Sequence, residues 1–157
     1  MQNIFVFSII KSLHDLFTVL WIGGLLTTTF SLMPALKSLG LKKEYSKNLL
    51  INYQRRLRLL AIISVVVLWI TGILLAKQSG SNVGFLNFST QYQSLISIKH
   101  IIVIVMIVIA VFRGFVLGNK VENFTPEQQK TYAILLLFNA FLGIVVLFLS
   151  GFSAAMA

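Results

Sequence analysis

Long apolar runs, separated by shorter polar stretches, dominate the pattern of the chain. The four longest lie at about 4–36, 57–77, 94–118 and 130–155, and each reaches the roughly 20 residues that a helix needs to cross a bilayer. Of all residues, 57% are hydrophobic and only 11% are charged, too few charges to cover a soluble domain. The pattern therefore predicts an all-α membrane protein in which residues 1–157 form a single four-span domain.

The connections between these runs are short, which favours helices that pack as antiparallel neighbours. The predicted fold is an antiparallel four-helix transmembrane bundle. Trp21 and Trp69 lie too deep in their spans for an interfacial belt, so we expect both to pack inside the bundle. Small residues allow helices to approach closely, and the candidates are Gly23, Gly24, Gly72, Gly143 and Gly151.

Two stretches predict where helices begin. Before the fourth span, Thr125 can act as the N-cap, Pro126 suits the first helical position, and Gln128 completes a capping box. Before the second span, apolar residues recur at every fourth position and predict a basic amphipathic helix that leads directly into the span. Its apolar stripe is Leu41, Tyr45, Leu49 and Tyr53.

The net charge of +9 is concentrated on one side of the predicted bundle. Ten of the thirteen basic residues flank the loops between spans one and two and between spans three and four. The positive-inside rule predicts that these loops are cytoplasmic and that both termini are outside. We expect a multi-pass protein of a prokaryotic plasma membrane. The basic loop at 37–58 predicts contact with anionic lipid headgroups, and this distribution argues against a nucleic-acid partner.

A polar stripe runs along the first span. At about 100° per residue, five residues fall within a wedge of roughly 100°, and they are Lys11, His14, Asp15, Thr18 and Thr29. Such a stripe is expected to face the bundle interior or a wet cavity and not lipid. Lys11 and Asp15 are also four residues apart, so their charges can neutralise each other.

The second histidine, His100, follows Lys99 near the start of the third span. His14 lies 23 residues before Lys37, and His100 lies 20 residues before Lys120, the first lysines beyond the inner ends of their spans. At 1.5 Å per residue, the two histidines differ by only about 4–5 Å in depth. We therefore expect both in the outer part of the membrane at nearly the same level.

Two imidazoles at one depth suit either a haem b held from both faces or a metal site. In the haem hypothesis His14 and His100 are axial ligands, Lys99 and Lys11 pair with the propionates, and Asp15 orients His14 through a hydrogen bond. The chain has no cysteine, which excludes thiolate metal ligands and covalent haem attachment. The same polar residues also fit anchors at the outer interface, and by themselves they favour that simpler interpretation because interfacial polar residues are common.

Several short motifs resemble the copper-resistance D-like membrane proteins. The first span, "LHDLFTVLWIGGLLTTTFSLMPAL", carries the histidine, the Trp-Ile-Gly-Gly and the proline typical of the first helix in that family. "ITGILLA" at 70–76 resembles the second helix, and "SIKHIIVIVMIVIAVFRG" resembles the third, with Lys99 and Arg113 in place. A weaker resemblance connects His14 and Lys99 with the small membrane protoporphyrinogen oxidases, a group associated with haem b.

Three functions follow as hypotheses from the residues and these resemblances. The first is haem b binding near the outer leaflet for electron transfer or redox chemistry. The second, implied by the copper-resistance resemblance, is copper transport or homeostasis, with His14 and His100 as metal ligands and Asp15 completing a transient site on the outer side. The third is a non-catalytic subunit of a larger membrane complex or homo-oligomer. No particular reaction is predicted.

Overall fold

The computed structural model describes residues 4–38, 43–78, 86–117 and 125–156. Within these ranges the chain is helical almost throughout, without a strand. The helices are α1 (Ile4–Thr27), α2 (Met33–Ser38), α3 (Lys43–Gln78), α4 (Gln91–Val111) and α5 (Pro126–Ala155).

Four helical segments are long and apolar enough to cross a membrane, which confirms the four predicted spans. They are Ile4–Leu36, Ile51–Lys77, Gln91–Leu117 and Pro126–Ala155. The helix predicted before the second span is confirmed from Lys43 onward, and it is continuous with that span in α3. Leu41 and the side chain of Tyr45 lie outside the described part of the chain.

Two π-helical turns interrupt the spans. The first, Thr28–Leu32, ends two residues before Pro34 and joins α1 to α2. In an α-helix the proline ring clashes with the carbonyl group four residues earlier, so the wider turn gives it space. The second, Phe112–Leu117, follows α4. There the carbonyl oxygen of Gly114 accepts a hydrogen bond of 2.9 Å from Nη1 of Arg58 in α3.

The helices pack in the spatial order α3–α1–α5–α4. The α1–α3 and α4–α5 contacts are the most extensive, and α1 also packs on α5, whereas α3 makes no comparably extensive contact with α4 or α5 among the described residues. His14 contacts Thr71 and Thr28 contacts Tyr53, so α1 and α3 are antiparallel. The bundle is therefore closed on three sides, and a cleft separates α3 from α4.

Two glycines allow the closest helix approaches. A Cβ atom added at Gly143 in α5 would lie 3.0 Å from Cγ2 of Ile22 in α1, and one added at Gly24 would lie 2.9 Å from Cδ1 of Leu57 in α3. These contacts adjoin a buried core that contains Trp21, Ile22, Leu25, Met106, Leu136, Ala140 and Val146. Packing of small residues thus brings α1 against both neighbours.

Other packing predictions are wrong. A Cβ atom at Gly23 or Gly151 would meet nothing within 4 Å, so neither glycine is at a close helix contact. Trp21 is 5% exposed, as expected for an interior residue, but Trp69 is 46% exposed. The buried face of α3 carries Ser64 and Thr71. Trp69 is two residues from Thr71, about 200° around the helix, and so faces away from α1.

Helix capping follows the sequence closely. Oγ1 of Thr125 accepts a hydrogen bond from the backbone of Gln128, and the side chain of Gln128 accepts one from the backbone of Thr125. This reciprocal pair confirms the predicted capping box, with Pro126 as the first residue of α5. At α4, Thr90 is the N-cap and accepts from the backbone of Gln93.

Candidate functional site

His14 is fixed by a hydrogen bond between helices. Its Nδ1 atom lies 2.8 Å from Oγ1 of Thr71 in α3. Gly72, the next residue, lies beside the ring, since a Cβ atom there would be 3.7 Å from Cε1 of His14. We call the end of the bundle that contains His14, Thr71 and the start of α4 the histidine end.

The partners of Thr71 define which nitrogen of His14 carries the proton. Oγ1 of Thr71 lies 2.7 Å from the carbonyl oxygen of Val67 and 3.3 Å from that of Leu68, and it donates to them within α3. A hydroxyl group has a single proton, so Oγ1 acts as the acceptor toward His14. Nδ1 of His14 is then the donor, and Nε2 carries the lone pair that a metal ion or haem iron requires.

Ionisable groups from two helices interact with His14. Lys99 and His100 in α4 and Asp15 in α1 each interact electrostatically with its ring. Lys99 also interacts with Asp15 and with His100. His14, Lys99 and His100 are partly buried, whereas Asp15 is exposed. Four of the five residues that the sequence singled out therefore interact electrostatically at this end of the bundle.

The fifth residue, Lys11, is exposed near the start of α1 and is not among the groups that act on His14 in the described chain. The predicted orienting role of Asp15 is also filled differently. The hydrogen-bond partner of Nδ1 of His14 is Oγ1 of Thr71 on the neighbouring helix. Thr71 was not singled out from the sequence, because the register between α1 and α3 is not visible there.

The histidine end offers two imidazoles and one carboxylate, but they do not converge. Among the described residues, no group of three or more His, Cys, Asp or Glu side chains is placed to hold a metal ion. Lys99 adds a positive charge beside His14. This arrangement suits a weakly held ligand better than a closed structural metal centre, which takes four protein ligands in the case of zinc.

Comparison with protein families decides the affiliation of the chain. The family model of copper resistance protein D matches residues 52–153, which is more than half of the chain. The chain belongs to the copper resistance protein D (CopD) family. The matched segment includes Thr71, Lys99 and His100, whereas His14 precedes it. Searches of curated proteins and of solved structures each give no significant match.

Membership of the CopD family agrees with the architecture. Four apolar helices make the chain a multi-pass membrane protein, and the family connects it with copper resistance.

Proposed function

We propose that this CopD-family protein handles copper in the membrane and binds the ion as cargo at the histidine end. The observation that carries the proposal is the 2.8 Å contact of Nδ1 of His14 with Oγ1 of Thr71. Because Oγ1 donates within α3, Nδ1 is the donor in this contact and Nε2 of His14 is left as a ligand atom. Imidazole is a suitable ligand for copper. A hydrogen bond to the other ring nitrogen is the usual way in which proteins orient such a ligand.

The other donors support brief binding and not storage. His100 supplies a second imidazole from α4, and Asp15 supplies a carboxylate from α1. The ammonium group of Lys99 repels a cation bound at His14. A site with few convergent donors and a neighbouring positive charge releases copper readily, as a transport or transfer step requires.

The test is a competition titration of the purified protein in lipid nanodiscs with Cu(I) and a chromogenic chelator, under anaerobic conditions. His14→Ala and His100→Ala each remove an imidazole ligand. Each is expected to weaken copper binding by at least about tenfold, since even the loss of a residue that only hydrogen-bonds to a metal ligand costs about 10–100-fold in metal affinity. Ser12→Ala, an exposed neighbour on α1, is the matched control. Equal affinities for all four proteins would contradict the proposal.

A second candidate function, haem b binding, is favoured by the position of Lys99 beside His14. The ammonium group of Lys99 repels a free cation, but it attracts the negatively charged carboxylates of haem propionates. His14 and His100 would be the axial ligands, with Lys99 and Lys11 toward the propionates. Bound haem b supplies one-electron redox chemistry. The cleft between α3 and α4 contains a cavity, but His14 is not among the residues that line it. That cavity therefore offers no haem pocket to His14.

An absorption spectrum separates the two candidates. Protein purified from cells supplied with haem is recorded oxidised and then reduced with dithionite. A Soret band that disappears in His14→Ala supports haem b. Its absence, together with copper binding that depends on His14, supports copper handling alone.

A further inference from the structure

The strongest unassigned feature is a cavity of about 600 Å³ in the cleft between α3 and α4, away from the histidine end. Its size lies within the range of ligand pockets in proteins. Trp21 and Asn139 line its inner wall from α1 and α5, and Arg55, Arg58 and Arg113 line it toward the opposite end of the bundle, which we call the arginine end.

The described lining of the cavity is positively charged at the arginine end. Of the described residues that line the cavity, none is an aspartate or a glutamate. Arg58 lies 5.2 Å above the ring of Phe115, and Arg113 lies 5.2 Å above that of Tyr132. Nε of Arg113 is buried and lacks a hydrogen-bond partner. Each guanidinium group has five donor hydrogens, so donors remain available to an anion. A positive charge inside a membrane span also requires a nearby group that compensates it.

A second polar group faces the same cavity at greater depth. Asn139 is 0% exposed, and neither its amide nitrogen nor its amide oxygen has a hydrogen-bond partner. Asn139 lies seven residues after Tyr132 on α5, which is about 10 Å along the helix. A buried amide without partners is unfavourable, so a ligand that reaches this depth gains by offering it a carbonyl group.

The cleft opens toward the membrane through apolar side chains. The residues on its lips are lipid-exposed, and they include Ile62 and Val66 of α3 and Val111 and Phe115 on the α4 side. A ligand seated in the cleft can therefore extend hydrocarbon chains into the bilayer without leaving the site.

We propose that the cleft binds one anionic phospholipid. Its phosphate is held by Arg55, Arg58 and Arg113, and an ester carbonyl lies near Asn139. One acyl chain occupies the cavity beside Trp21. The phosphate supplies the missing negative charge, the ester supplies the missing acceptor, and the acyl chains match the apolar lips. This proposal is independent of copper or haem binding at the histidine end.

Tryptophan quenching tests the proposal, because the chain has only two tryptophans. Trp69→Phe leaves Trp21, in the cleft, as the single reporter. The protein is placed in phosphatidylcholine nanodiscs with a minor fraction of phosphatidylglycerol whose acyl chains are brominated. The fluorescence of Trp21 is expected to be quenched more strongly than it would be if the brominated lipid were distributed at random around the protein. The same fraction of brominated phosphatidylcholine is expected to quench it only weakly.

The matched variants use adjacent arginines. Both Arg55 and Arg56 are exposed, but only Arg55 lines the cleft. Arg55→Gln combined with Arg113→Gln is expected to weaken the preference for the anionic lipid by about tenfold or more, the usual effect of losing charge-assisted hydrogen bonds. Arg56→Gln is expected to leave it unchanged. Trp21→Phe leaves Trp69 on the lipid-facing surface, where quenching is expected to be independent of the headgroup.

Asn139→Leu provides a readout that leaves the arginines in place. The wild type is expected to prefer ester-linked over ether-linked phosphatidylglycerol, and this preference is expected to vanish in the variant. The proposal would be overturned if Arg56→Gln lost the preference for the anionic lipid as fully as the Arg55/Arg113 variant. It would also be overturned if the Arg55/Arg113 variant kept the wild-type quenching of Trp21 by brominated phosphatidylglycerol. Displacement by inorganic phosphate as effective as by lipid would identify a free-anion site instead. Cross-linking across the cleft between two copies that excludes lipid would assign the cleft to a dimer.

Discussion

Nδ1 of His14 in α1 lies 2.8 Å from Oγ1 of Thr71 in α3, and this contact joins residues 57 positions apart in the chain. The helix that orients the candidate ligand is therefore not the helix that carries it. A small rotation of α3 about its axis would move the hydroxyl group and release the imidazole ring. The properties of His14 as a ligand are thus connected to the packing of α1 on α3.

We expect Thr71→Val to weaken copper binding at the histidine end by about 10–100-fold, the usual effect of losing the hydrogen bond that orients a ligating histidine. Thr71→Ser keeps the hydroxyl group and is expected to retain near-native affinity. Ser64→Ala, two turns away on the same buried face of α3, is the control. The chelator competition titration measures all three, and an unchanged affinity in Thr71→Val would show that the hydrogen bond has no part in binding.

The contact of Gly143 with Ile22 predicts a loss of stability. In Gly143→Ala the new Cβ atom lies 3.0 Å from Cγ2 of Ile22, a β-branched side chain that is almost fully buried and has little room to move. Such overpacking is expected to lower the free energy of unfolding by about 1–3 kcal/mol. Denaturation in mixed detergent micelles, followed by circular dichroism, measures the change.

Two variants show whether the effect comes from this contact. Gly151→Ala adds the same methyl group on α5 where nothing lies within 4 Å, and it is expected to leave stability unchanged or slightly raised. Ile22→Ala removes the opposing Cγ2 atom, so Gly143→Ala is expected to cost less in that background. An additive double variant would argue against steric contact as the cause.

The orientation predicted from the basic loops is testable because the chain has no native cysteine. Ser38 and Ser89 are both exposed and lie at opposite ends of the bundle. With the basic loops in the cytoplasm, Ser89→Cys is expected to react with a membrane-impermeant maleimide in intact cells, whereas Ser38→Cys reacts only after lysis. The reverse pattern would invert the topology.

Local features of this fold could be predicted from sequence because nearby residues determine them. The capping box of Thr125 and Gln128 involves side chains three residues apart, and the spans follow from apolar length alone. The π-helical turn before Pro34 was not predicted, although the proline itself is the local cause. Trp69 was misplaced because its depth is visible in the sequence but the side that α1 occupies is not.

The candidate site could be predicted only in part. Residue type and position along the spans singled out His14, Lys99 and His100, which interact electrostatically in the structure. The equal depth of the two histidines stays a prediction. The hydrogen-bond partner of His14 depends on the register of α1 against α3. The sequences of these two helices do not reveal that register. The cleft at the arginine end could not be predicted either. Its residues Arg58, Arg113 and Asn139 come from three separate helical segments, whose packing the sequence does not reveal.

The spatial order α3–α1–α5–α4 has a consequence for how the polypeptide is assembled during synthesis. The two most extensive helix interfaces each join spans that are adjacent in sequence, so each hairpin can form as soon as its second helix has been inserted. Among the described residues, the α1–α5 seam is the most extensive contact between the two halves, and the hydrogen bond from Arg58 to Gly114 adds to it. We therefore expect a gene cut between the codons of Gln78 and Leu86 to yield two fragments that associate when coexpressed, measured by co-purification through a tag on one. Gly143→Leu, which blocks the seam, is expected to separate them.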